Sequence, residues 1–170
     1  MIRFFITGVS PVIPRFTVMW CAVGVFTLLR GLVLWRTGRL PAAKALLLPV
    51  FSVYLAVLLT LTLFGRIPTV QAEYQLQLFW SYREIAGGAM DLLYENLWNV
   101  IAFVPAGFLL SLLLERPRLS LLLCGMLSLC IELTQLTAHL GLFEFDDLFH
   151  NTVGAAAGVL AYWIWLKKSA

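Results

Sequence analysis

"LSLLLCGMLSLCIELTQLTAH", residues 119–139, decides how this chain folds. A mostly apolar run of this length, wound at about 1.5 Å per residue, matches the roughly 30 Å of hydrocarbon in a bilayer. Inside it stands Glu132. An ionisable side chain at that depth costs about 2.5–3.5 kcal/mol or more, so it must face protein or water and have a partner. Ser128, Glu132 and Gln135 recur at i, i+4 and i+7, and His139 follows four residues later. That spacing sets all four on one helical face and leaves the other faces to lipid.

Moving outward, "FEFDDLFHN" (143–151) gathers acids, a histidine and an asparagine before a further apolar run at 149–166. Asp147, Asn151, Gly154 and Gly158 fall at i, i+4, i+7 and i+11, another single face. "GAAAG" (154–158) is a GxxxG pattern, which lets another backbone approach closely. The short 139–148 connection makes these two helices antiparallel neighbours. It brings Glu132 and Gln135 near Asn151, with Asp146 and Asp147 above them. The plain structural reading is interhelical hydrogen bonding, worth about 0.6–2 kcal/mol per contact. The functional reading is a polar pocket with the acidic segment as its lid.

Toward the N-terminus, "ENLWNVIAFVPAGF" (95–108) places Asn96 and Asn99 at the end of an apolar helix at 96–114. Pro105 in its interior frees the carbonyl of Ile101, so a kink is expected. Two earlier runs, 45–64 and 13–35, complete about five spans, and Arg30 can snorkel from the first. Residues 2–9 are too short to span and are expected at the interface. Pro11, Pro14 and Arg15 argue against a cleaved signal peptide.

Composition agrees. The 170 residues are 61% hydrophobic and 12% charged, with mean hydropathy +0.91. A soluble domain is about 45–50% apolar and about 25% charged, so lipid is the solvent and the fold is an all-α, polytopic membrane helix bundle. The basic residues are scattered and imply no nucleic-acid partner. Cys21, Cys124 and Cys130 sit in apolar runs without CxxC spacing and act as small hydrophobes. Arg36, Arg39 and Lys44, then Arg116 and Arg118, then Lys167 and Lys168 fall on one face if five spans alternate. The positive-inside rule makes that face cytoplasmic, giving N-out and C-in. The acidic segment and the aromatic-rich stretch 65–95, with Tyr74, Phe79, Trp80 and Tyr82, then face outward.

Four pieces in order carry a resemblance: "FGR" (64–66); Asn99, Phe103, Pro105 and Gly107; Ser128, Glu132 and Gln135; and "FEFDDLFHNTVGAAAG" (143–158). Together they resemble the VanZ-like family of small bacterial membrane proteins, over about residues 45–166. The resemblance implies a multi-pass protein of the bacterial plasma (inner) membrane. Residues 1–44 are then an N-terminal addition with an extra helix, and 167–170 a basic cytoplasmic tail. The family's founding member is associated with resistance to the glycopeptide teicoplanin. The resemblance therefore implies an envelope accessory protein that meets a lipid-linked cell-wall precursor or a lipoglycopeptide at the outer leaflet. Many relatives carry an arginine near the position of Leu140, and Arg66 or Arg83 is expected to stand in for it here.

The candidate ligand-binding set is Asn99, Glu132, Gln135, Asp146, Asp147, Asn151, Arg66 and Trp80, with Pro105, Gly107, Gly154 and Gly158 as helix-packing residues. A second reading is a membrane-embedded enzyme acting on a lipid, with Glu132 as acid/base and Asp146 and Asp147 as further catalytic candidates. In that reading a divalent ion on these acids with His150 or His139 is a weak signal, so no metal and no cofactor is assigned. A third is a small transporter with Glu132 as a proton site. No P-loop, GxGxxG or HExxH motif is present.

Overall fold

The computed structural model describes residues 2–169 apart from 65, 67, 69 and 72, with backbone alone for 2–15 and 169. Gly65 of the 64–66 motif and Ala170 of the basic tail lie outside the described residues. The chain runs through α1 (Ile2–Arg36), α2 (Ala42–Leu59) with a π-helical extension (Thr60–Phe64), β1 (Glu73–Gln75), α3 (Trp80–Ala86), α4 (Met90–Leu114), α5 (Pro117–Thr137), β2 (Leu142–Glu144) and α6 (Phe145–Ser169). The segment 2–9, expected at the interface on its own, is continuous with the helix of the first span.

Among the described residues, four helical stretches are long and apolar enough to cross a bilayer: Phe16–Arg36, Ala42–Phe64, Met90–Leu114 and Pro117–Thr137. They are exposed on large apolar side chains such as Phe26, Leu29, Leu122 and Met126. Water would not tolerate such faces, and lipid does. The fifth expected span, α6, has the length. Its first two turns carry Asp146, Asp147, His150 and Asn151, and its last turn Lys167 and Lys168, so it falls outside the strongly apolar set. It packs into the bundle against α4 and α5 instead of standing at the edge.

Local chemistry explains the ends and bends. Pro117 occupies the first turn of α5, where its missing N–H costs nothing. Pro49 inside α2 leaves the carbonyl of Ala45 without its helical donor, and that carbonyl faces Gly31 of α1 so closely that a side chain there would collide. Pro105 does the same to Ile101 in α4. The Tyr54 hydroxyl donates to the neighbouring carbonyl of Ala102.

The tightest packing joins α4 to α6. A Cβ on Gly107 would strike the Ala155 carbonyl, one on Gly154 the Val100 carbonyl, and one on Gly158 the Val104 carbonyl and Phe108 nitrogen. The GAAAG stripe thus meets α4, which runs parallel to α6, whereas the sequence pointed to α5 as the partner across a short connection. α5 lies antiparallel on the other flank and is tied through Ser128. Phe103, Ala106, Cys124, Ile131, Leu58 and Ala155 form the buried core between these helices.

At one end, β1 and β2 pair in parallel, with Glu73 opposite Leu142, Tyr74 opposite Phe143 and Gln75 opposite Glu144. This joins the aromatic-rich stretch to the acidic segment. The opposite end carries Arg36, Arg39, Lys44, Arg116, Arg118, Lys167 and Lys168. The molecule is therefore polarised into an acidic end and a basic end.

Candidate functional site: a polar cluster at the acidic end

Asp146 is fully buried at the start of α6. Its carboxylate accepts the backbone N–H groups of Phe79 and Ser81, the latter at 3.0 Å, and the Ser81 hydroxyl. These are the free donors of the first turn of α3, so Asp146 caps that helix from another element. Phe79 holds a left-handed backbone (φ 64°) at this cap. Asn96 of α4 donates to the same Ser81 hydroxyl at 3.0 Å, which closes the group. Asp146, expected to meet a ligand, is here a satisfied structural anchor.

Its neighbour behaves differently. Asp147 accepts from the Asn99 amide at 2.7 Å. One oxygen of Glu132 accepts from the backbone N–H of Glu144 at 3.1 Å, and the Glu144 carboxylate accepts from the Trp80 indole at 3.2 Å. Asn151 donates to Ser128 at 2.9 Å. Gln135 donates at 3.0 Å to the carbonyl of Thr62, in the π-helical end of α2 where carbonyls lack helical donors. Glu132, Asn151 and Gln135 are all buried.

The electrostatics are lopsided. Glu132, Glu144 and Asp147 repel one another, and the Glu95 charge adds to the repulsion on Glu144 and Asp147. Arg66 is a cation that acts on Glu95, Glu132 and Asp147 alike. Its guanidinium lies against Gly141, whose φ of +148° and missing Cβ leave room for it. In the loop outside the spans, burial and then the Asp147 charge push the Glu144 carboxyl up to about 8, against the Trp80 hydrogen bond. Among the described residues, four buried side-chain atoms lack a hydrogen-bond partner: Oγ of Ser111, Oε1 of Gln135, Nδ1 of His150 and Oδ1 of Asn151.

Of the sequence-derived set, Asn99 and Asp147 meet directly, Glu132 and Trp80 meet through Glu144, and Asn151 joins by way of Ser128. Arg66 approaches from the end of α2. Gln135 turns away from this group toward α2. His150 Nε2 pairs with the Tyr82 hydroxyl at 2.8 Å. Among the described residues, no three His, Cys, Asp or Glu side chains converge to hold a metal ion. Sequence reasoning did not single out Ser81, Glu95, Thr62 or the role of Glu144. Glu144 and Glu95 stood in plain view as charges beside apolar runs, whereas nothing local marks Ser81 or the Thr62 carbonyl.

These features define a polytopic helical membrane protein with a polar, carboxylate-rich cluster at one end. A family model described as VanZ/LLP1 matches residues 51–166, well over half the chain, and the protein belongs to the VanZ/LLP1 family. The matched region begins within α2 and takes in every residue of the polar cluster, while α1 lies before it. No curated protein matches the chain, and no solved structure does.

Proposed function

We propose that this VanZ/LLP1 protein is an envelope accessory factor of the bacterial plasma membrane. It contributes to tolerance of a glycopeptide such as teicoplanin, and its polar cluster, facing the outer leaflet, engages a donor-rich headgroup. The observation that carries this reading is the surplus of acceptors. Glu132, Asp147 and Glu95 are set against Arg66, and the buried Oδ1 of Asn151 lacks a donor. Unmet buried acceptors cost free energy, about 1–3 kcal/mol each, and a ligand bearing ammonium or hydroxyl groups would recover it. Amino sugars and peptide amines of a lipid-linked wall precursor or a lipoglycopeptide have that chemistry. Trp80 and Tyr82 would flank the approach.

The test replaces Glu132 by Gln and Asp147 by Asn, nearly isosteric changes that remove charge but keep hydrogen bonding. Both variants should express and melt close to the parent protein, yet lose its tolerance phenotype when produced in a susceptible bacterium. Parental tolerance in both well-expressed variants would leave the cluster a packing device only. A membrane-embedded lipid enzyme would differ in one respect: turnover of a lipid-linked precursor by purified protein, lost in Glu132→Gln and kept in Trp80→Phe.

A further inference from the structure

The basic end carries a second site. Between the α4–α5 turn and the last turns of α6 lies an open cavity of about 400 Å³, lined by Arg116, Pro117, Arg118 and Trp163. The cleft is open to the surface and largely apolar in its lining, which suits a lipid headgroup held at its basic rim. Glu115, the one carboxylate of the turn, is engaged by Lys44 at 2.9 Å and leaves the two guanidiniums uncontested. Lys167 holds its ammonium 3.6 Å from the centre of the Trp163 ring, which adds a third positive charge at the rim.

The depth fits as well. α4 ends at Leu114 and α5 begins at Pro117, so this turn lies where the apolar helices meet the headgroup layer. Trp163 is half-exposed beside it, the position indole rings favour at a bilayer interface. Guanidinium forks match phosphate oxygens in pairs, while the apolar walls of Pro117 and Trp163 suit the first carbons of acyl chains.

We propose that this cleft binds the phosphate of an anionic phospholipid, with the chains lying along α6. The experiment uses the purified full-length chain, delipidated in detergent, and native mass spectrometry with phosphatidylglycerol or phosphatidylcholine added in turn. The parent protein should retain phosphatidylglycerol preferentially, and Arg116→Ala/Arg118→Ala should weaken that retention about tenfold. Arg116→Lys/Arg118→Lys, which preserves the charge, should fall between the two. The charge-matched control Arg36→Ala/Arg39→Ala on the same end should retain the lipid as the parent does. Equal losses in the control and the cleft variant would overturn the site in favour of diffuse basic charge. Unchanged retention in the Lys variant and the Ala variant would overturn it outright. Displacement of the lipid by millimolar inorganic phosphate would make it a soluble-anion site and overturn the lipid assignment.

Discussion

Glu144 illustrates how one carboxyl senses the whole acidic end. Its neighbours are Asp147, Glu95 and Asp146, the Glu132 carboxyl bonded to its backbone, and the Trp80 indole. Because its folded value stands at about 8 against an ordinary 4.5, the native state holds a proton that the unfolded state has released across that window. Stability linked to this group is complete below about pH 4.5 and is lost as pH rises through about 8. Thermal melts of the detergent-solubilised protein between about pH 5 and pH 9 should therefore show a falling melting temperature. Glu144→Gln should flatten part of that fall. Identical slopes in the two proteins would mean that the carboxyl is already ionised in the fold.

At the scale of elements, the α4–α6 contact is set by glycine. Gly107, Gly154 and Gly158 each face a backbone carbonyl of the opposite helix, so their side-chain-free surfaces fix the interaxial distance. Gly154→Leu should cost about 1–3 kcal/mol through overpacking and lower the melting temperature clearly. Gly125, where an added Cβ would meet only the Thr152 hydroxyl at 3.9 Å, supplies the contrast: Gly125→Ala should be near neutral. Equal melting temperatures for the parent and Gly154→Leu would place that face toward lipid. The sequence made the glycine stripe legible through its spacing, because a four-residue repeat of small residues has few other uses in an apolar helix. Its partner was not legible. Short connections suggest neighbours, but only three-dimensional packing decides that α6 lies deepest against the parallel α4.

Across the whole molecule, the separation of acidic and basic ends is what topology experiments can read. We propose, from the positive-inside rule, that the basic end faces the cytoplasm. With the native cysteines removed, Leu142→Cys should react in intact cells with a thiol reagent that cannot cross the membrane, and Ser169→Cys should not. The reverse pattern would turn the protein over and move the polar cluster to the inner leaflet. The helical character, the apolar spans and the crowding of Asn99, Glu132, Asp147 and Asn151 into one end were all legible, since polar groups inside apolar runs have to find one another. The cap that Asp146 provides to α3 was not, because it joins residues far apart through a loop whose course no periodicity encodes. The same holds for Gln135, whose acceptor is a backbone carbonyl exposed by a π-helical turn.

The pairing of β1 with β2 also bears on the order of assembly. Its two partners, residues 73–75 and 142–144, are separated by α3, α4 and α5, so the strands can meet only after α4 and α5 have both been made and threaded into the membrane. Long-range closures of this kind carry their entropic cost before any reward and come late in folding. The acidic end is thus sealed by one of the last steps of biogenesis. A chain stalled before β2 would have its spans α1, α2, α4 and α5, with the Asn99 end of α4 still open.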